Sequence, residues 1–168
     1  MPAVIDANCW CLFVDEELAE SPGDGTAIFS RADAGGGVLF DQGVLIKQQY
    51  IDMRKPYAEQ IFDNWLGTKI AFGKARIVAV DGNANVNKSL RALNIPAKEH
   101  IFFKTAICGG ASYIVSLDSD FFDPASKKAG EKAKAAIVVN ARGPVPKACS
   151  KLWKLSVRCP TAYINSPP

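Results

Sequence analysis

The 168-residue chain is expected to fold as a three-layer α/β/α domain around a mostly parallel, Rossmann-like central sheet. Three observations predict this. Short apolar runs alternate with stretches of helical character along the whole chain. With 48% hydrophobic and 22% charged residues, the composition supports a sizeable core and lies outside the range of disorder. No internal repeat or linker divides the chain, so residues 1–168 are expected to form a single domain.

The elements follow in order. Ala3-Val4-Ile5 is a short buried strand ending in Asp6, and Cys9 to Val14 continues apolar into an acidic stretch as helix or loop. Ser21-Pro22-Gly23-Asp24-Gly25 is a turn cluster, after which Thr26-Ala27-Ile28-Phe29 opens a short helix. Gly35-Gly36-Gly37 precedes a second strand, Val38-Leu39-Phe40, and Asp41 is placed to cap a helix running through Val44 to Ile51. A further helix is expected after Pro56, with Tyr57, Ile61, Phe62 and Trp65 on its apolar face and a stop near Gly67.

Arg76 to Val80 reads as a third strand, followed by the polar loop 81–87 and a short amphipathic helix through Leu90 and Leu93. Pro96 suits a first helical turn and opens a helix over Ala97 to Ile107 that Gly109-Gly110 ends. Ser112 to Leu117 is the clearest strand and runs straight into Asp118-Ser119-Asp120. Lys127 to Ala136 and Ala148 to Lys154 look helical, and Leu155 to Arg158 makes the last strand before Pro160.

Several function classes are excluded or weakened at this level. The apolar runs fall short of the ~20 residues that cross a bilayer. The first residues lack a basic segment and meet acid early, at Asp15, Glu16 and Glu17, so a cytoplasmic protein is expected. Five cysteines without Cys-x-x-Cys spacing and a single histidine, His100, argue against a disulfide framework or a Cys/His zinc site. Most of the cysteines read as small buried hydrophobes, and Trp10, Trp65 and Trp153 as packing residues rather than base-stacking platforms. No P-loop, dinucleotide fingerprint or Gly-x-Ser-x-Gly elbow occurs.

Charge is unevenly placed. Lys127, Lys128, Lys132, Lys134, Arg142, Lys147, Lys151, Lys154 and Arg158 face only Asp123 and Glu131 beyond residue 120. Such a stretch reads either as a solvated lysine face or as a track for a phosphate backbone.

The chemistry concentrates where apolar strands run into acids. In an open parallel sheet, ligands bind beyond the carboxyl ends of the strands near the switch point. Asp6 and Asp118, with Asp120 two residues on, would bring like charges together there, which is costly unless a cation neutralises them. Hard divalent ions take such oxygen ligands, and Mg²⁺ uses one or two carboxylates together with waters and phosphate. Glu99 belongs to the first turn of the helix preceding the Asp118 strand. It reads equally as a favourable helix-end acid and as a further ligand.

These residues resemble the PIN-domain nuclease family. Val4-Ile5-Asp6-Ala7-Asn8 looks like its opening strand, and Glu99-His100-Ile101-Phe102-Phe103-Lys104-Thr105-Ala106 resembles its third acidic motif, with Glu99 where Asp is more usual. Ser116-Leu117-Asp118-Ser119-Asp120-Phe121 resembles the family's Thr-x-Asp-x-Asp-Phe, and Val157 to Ile164 looks like its closing strand and proline turn. The likeness spans residues 3 to about 164, with the four motifs in the family's order.

Two departures stand out. The family's Glu on the helix after the second strand is matched here only by Gln48 or Gln49, and the lysine-rich excursion at about 125–142 is longer than the pattern calls for.

The resemblance implies a metal-dependent endoribonuclease cutting single-stranded or looped RNA with Mg²⁺ or Mn²⁺. Asp6 and Asp118 would ligate directly, and Glu99 and Asp120 directly or through water, while Asn8, Ser116 and Gln49 support them. Lys127, Lys128, Lys132 and Lys134 would track the RNA. It also implies that the chain is either the toxin of a toxin–antitoxin pair, with an antitoxin protein as partner and a homodimer as its form, or a stand-alone processing nuclease. A PIN-like module that has lost catalysis and serves RNA or protein binding is the alternative, favoured by the missing second acid. A phosphatase-like use of Asp6 as nucleophile ranks last, because residue 8 is Asn rather than Asp.

Overall fold

The computed structural model describes residues 1–53 and 58–166. Its five strands, β1 (Ala3–Ile5), β2 (Val38–Asp41), β3 (Ala75–Val78), β4 (Tyr113–Val115) and β5 (Ser156–Arg158), form one sheet in the order β3-β2-β1-β4-β5. Every pairing is parallel, with Ala3 opposite both Val38 and Tyr113. The expected α/β architecture is therefore present, with a sheet that is wholly parallel. β1 holds the centre, and Ala3, Val4 and Ile5 are fully buried, as strands covered on both faces must be.

The chain steps outward from β1 to β2 to β3, then returns across β1 to build β4 and β5. Right-handed crossovers place α1 (Ala7–Ala19), α2 (Asp24–Gly35), α3 (Leu45–Met53) and α4 (Ala58–Ala71) on one face. The same rule places α5 (Ala84–Ala92), α6 (His100–Gly109), α7 (Glu131–Val139) and α8 (Pro144–Trp153) on the other. The switch point lies between β1 and β4, at the carboxyl end of the two strands that carry Asp6 and Ser116.

Aromatic side chains fill the first face. Trp10 stacks on Tyr50 with ring centroids 5.2 Å apart and meets Phe29, Phe62 and Trp65 edge-on at 5.8, 5.4 and 5.3 Å. Phe102, Phe103 and Phe121 do the same on the second face. Trp10 and Trp65 are packing residues, as read from the sequence, and Trp153 packs partly buried against the core. Cys9, Cys11, Cys149 and Cys159 are buried, and Cys108 is exposed. Gly25 lets α2 approach α1 closely, since a Cβ there would stand 2.3 Å from the Phe13 nitrogen.

Several boundaries differ from the sequence expectation. α1 begins at Ala7 and carries through the acidic stretch to Ala19. Glu16 at its end accepts the N–H groups of Gly23, Gly25 and Thr26, so this acid ties α1 to the start of α2. α4 runs past Gly67 to Ala71, while Pro56 and Tyr57 lie outside the described residues.

The expected helix Lys127–Ala136 is two pieces. A 3₁₀ segment over Pro124–Lys128 is capped by Asp123, Ala129 then turns extended at ψ 150°, and α7 starts afresh after Gly130. Glycine in a helix interior costs about 1 kcal/mol relative to alanine, which favours the break there. The proline turn after β5 is a short helix, α9 (Pro160–Ile164), whose Tyr163 ring lies 5.3 Å from that of Tyr113. Among the described residues no helix is long and apolar enough to cross a membrane.

Candidate active site

Asp6 follows β1 and caps α1. Its backbone N–H extends the ladder to the Val115 carbonyl at 2.9 Å, and its Oδ1 accepts the Ala7 N–H at 2.7 Å. The other oxygen, Oδ2, accepts the Ser116 hydroxyl at 2.8 Å and the Asn8 amide at 3.2 Å. Two of the three residues expected to support the acids, Ser116 and Asn8, thus converge on one oxygen of one acid. An ionised carboxylate offers about four acceptor positions. Three are engaged, and Oδ1 keeps one.

Ser116 lies one residue beyond β4, held in line by its N–H on the Arg158 carbonyl. Its hydroxyl donates to Asp6 while accepting the Asp118 N–H at 2.9 Å. Asp118 therefore does not end the strand directly, as its sequence position suggested. It caps a 3₁₀ turn, Ser119–Phe121, through its Oδ1 on the Asp120 N–H at 2.9 Å. Asp120 is buried and its Oδ2 stands 3.6 Å from the Lys127 ammonium.

Glu99 closes the group from the second face. It ends a 3₁₀ turn, Ala97–Glu99, that leads into α6, and it is only 3% exposed. One oxygen accepts Lys98 Nζ at 3.0 Å, and the other, Oε2, is buried with no hydrogen-bond partner.

The acids sense one another. Burial pushes the Asp6 pKa up to about 7, the Ser116 hydrogen bond opposes the rise, and the charges of Glu99 and Asp118 add to it. Burial likewise raises Glu99, against the pull of Lys98 and with the help of Asp118 and Asp120. Asp6, Glu99 and Asp118 thus lie within electrostatic reach of one another where strand order reverses, and Asp120 within reach of Glu99, each acid held by its own partner rather than aimed at a shared point. Among the described residues no group of three or more His, Cys, Asp or Glu side chains is arranged to hold a metal ion.

The lysines divide into two sets. Lys127 and Lys134 line a hollow of about 360 Å³ together with Asp118, Asp120 and Glu131. Lys134 pairs with Glu131 at 3.1 Å. Lys128 and Lys132 are exposed and do not line it.

Gln49 is placed apart from the acids. Its amide donates to the Lys98 carbonyl at 2.9 Å, while Gln48 bonds Asp52 at 2.9 Å. The α3 side chain that reaches towards Asp6 is Tyr50, whose buried hydroxyl donates to the Ile5 carbonyl at 2.5 Å. Asp41 is also at the carboxyl edge of the sheet, but its carboxylate caps α3 through the N–H groups of Leu45 and Ile46 at 2.9 and 2.8 Å. His100 is directed elsewhere, with Nε2 2.9 Å from the Ile95 carbonyl.

No family model, curated protein or solved structure matches the chain. The chemistry of the site stands on its own residues: an all-oxygen donor set, two of its acids raised by burial, beside a lysine-lined hollow.

Tyr50 and Lys98 are the two contributors that sequence reasoning passed over. Lys98 had a local signal, its adjacency to Glu99. Tyr50 had none, because its contact with Ile5 spans 45 residues.

Proposed function

We propose that the protein is a divalent-metal-dependent endoribonuclease of PIN-like type, acting on single-stranded or looped RNA in the cytoplasm. The observation that carries this reading is the Asp6–Glu99–Asp118–Asp120 cluster at the switch point, with Glu99 Oε2 buried and unpartnered. A buried carboxylate oxygen without a donor is costly, and a hard cation is the partner such a set of oxygens fits. Mg²⁺ and Mn²⁺ suit it, since few protein ligands are needed when waters and phosphate complete the sphere.

Asp6 and Asp118 would hold the ion directly in this reading, and Glu99 and Asp120 would hold it directly or through water. These residues would hold the ion, which when bound would supply positive charge to activate water and to offset charge on the leaving oxygen. Ser116 and Asn8 hold Asp6 Oδ2, which fixes the carboxylate plane and leaves the free position of Oδ1 available. Tyr50 holds the Ile5 carbonyl and with it the backbone that carries Asp6. Lys127 and Lys134 present ammonium groups to a phosphate in the adjoining hollow, and Lys128 and Lys132 extend that positive surface outward. Unpaired RNA suits the site because its phosphates are reachable without opening a duplex.

A second reading, a binding-only module, is favoured by one observation. α3 supplies no acid to the cluster, only Tyr50 beneath it and glutamines turned elsewhere. Cleavage of a labelled single-stranded RNA with Mn²⁺ separates the two. The nuclease reading expects wild type to cut, and Asp118→Asn and an EDTA control not to. RNA binding without cutting across several sequences would transfer the case to the binding module. A mutant as active as wild type would mean that the cluster is not the catalytic centre.

A further inference from the structure

α3 and the start of α6 enclose a second hollow, of about 310 Å³, next to the acid cluster but outside it. Gln48, Gln49, Lys98, His100 and Lys104 line it, with Ile101 as apolar surface, and no carboxylate faces it. Its walls are joined by the Gln49 amide on the Lys98 carbonyl, which leaves the Gln49 side-chain oxygen as an acceptor. Lys98 also bonds Glu99, so one residue belongs to both the hollow and the acid cluster.

Lys104 is half-buried and makes no ion pair among the described residues. It also lines an adjoining hollow of about 470 Å³ that continues past Asp41 and Asp81. Its cation therefore stands where two nucleotide-sized spaces meet. Asp41 and Asp81 share that adjoining hollow but form no ion pair with Lys104, and a partly desolvated ammonium that is unpaired is satisfied by an anion. Sites of roughly 300–1,000 Å³ suit small ligands, and the hollow is at the lower end of that range.

We infer that this hollow seats one nucleotide of the single-stranded RNA, next to the scissile phosphate. The linking phosphate rests on Lys104, and the base lies against Ile101 within reach of the Gln48 and Gln49 amides. The inference rests on the ribonuclease reading and adds to it a subsite that a duplex cannot fill, because the base must leave its stack. Charge complementarity supports it: this hollow is cationic and amide-lined, whereas the hollow at Asp118 and Asp120 carries acids.

The test compares two substrates with Mn²⁺, a mixed-sequence 12-nucleotide RNA and bis(p-nitrophenyl) phosphate, which is too small to span both sites. Gln48→Glu alters an exposed side chain and Lys104→Glu a half-buried one, and circular dichroism checks that each variant folds. Both are expected to raise KM for the RNA by about tenfold. Lys104→Glu should also reduce the salt dependence of RNA binding by about 0.7 in log–log slope, the loss of one single-strand phosphate contact. Turnover of bis(p-nitrophenyl) phosphate should be unchanged. Wild-type KM for the RNA in both variants overturns the inference, as does an equal loss on both substrates. If wild type cleaves neither substrate, the ribonuclease reading itself fails and the subsite fails with it.

Discussion

Ser116 donates its hydroxyl to Asp6 Oδ2 across 2.8 Å, joining the ends of two strands that lie side by side but 110 residues apart in sequence. The Ser116 Oγ in turn accepts the Asp118 N–H, so a single hydroxyl sets the relative position of two acids. Ser116→Ala removes a buried hydrogen bond to Asp6 Oδ2, which keeps only the Asn8 amide, and takes the acceptor from the Asp118 N–H. Chemical denaturation should show a loss of about 1–3 kcal/mol, together with slower RNA cleavage. Ser116→Thr keeps the hydroxyl and should recover most of the activity. An alanine variant as stable and as active as wild type would remove Ser116 from the site.

Asp6 makes stability depend on pH in a definite direction. Its folded-state pKa of about 7 lies above the ordinary value of 3.8, so between these values the folded chain holds a proton that the unfolded chain has released. The contribution is fully present below about pH 4 and is lost as pH rises to about 7. Without metal, urea denaturation should show stability falling across that window, and Asp6→Asn should flatten the profile. Mn²⁺ should raise Tm more at pH 8 than at pH 5, because only the ionised carboxylate attracts it. An equal Mn²⁺ response at both values would contradict this.

Asp41 tests whether position at the sheet edge is enough to make an acid functional. Its carboxylate is spent on the first N–H groups of α3. Asp41→Ala should therefore cost about 0.5–2 kcal/mol of stability, as the loss of a helix cap does, while kcat for RNA at a temperature where the variant is folded stays at the wild-type value. Loss of turnover in a fully folded Asp41→Ala would move this acid into the machinery.

Lys127 stands 3.6 Å from Asp120 on the rim of the acid-lined hollow. Lys127→Ala should weaken RNA binding and reduce its salt dependence by about 0.7 in log–log slope. Mn²⁺ affinity should not fall, since the variant removes a positive charge beside a metal-site acid. A salt slope equal to that of wild type would show that Lys127 touches no phosphate.

The inner strands β1, β2 and β4 were legible in the sequence because they are buried on both faces. Val4-Ile5, Val38 to Phe40 and Tyr113 to Val115 are continuous apolar runs, and their alternation with helical stretches implied parallel pairing. Asp41 as the cap of α3 was legible for a similar reason, since strand end, acid and helix start follow one another within a few residues. Asp6 with Asn8, and Ser116 with Asp118, were visible because their partners are sequence neighbours. The Ser116–Asp6 bond itself needed the fold.

Other features were hidden for physical reasons. The break at Ala129-Gly130 was masked by the alanines and lysines around it, which favour a continuous helix, although Gly130 marks it and the 3₁₀ segment Pro124–Lys128 packs against the turn after Asp118. Tyr50 looked like a core residue and is one, yet its hydroxyl also braces the backbone before Asp6. Gln49 was expected beside the acids because the family resemblance aligned it with an acid on that helix, and the turn of α3 directs it to Lys98 instead.

The most direct measurement is the chemistry of the cut ends, determined by mass spectrometry after Mn²⁺-dependent cleavage of a defined RNA. Attack by a water held at the acid cluster does not involve the ribose 2′-hydroxyl. The expected products carry one 5′-phosphate or 3′-phosphate end and an intact hydroxyl on the other side, and a 2′-deoxy nucleotide at the cut position leaves the rate unchanged. A 2′,3′-cyclic phosphate product, together with loss of cleavage at the 2′-deoxy position, would contradict the account.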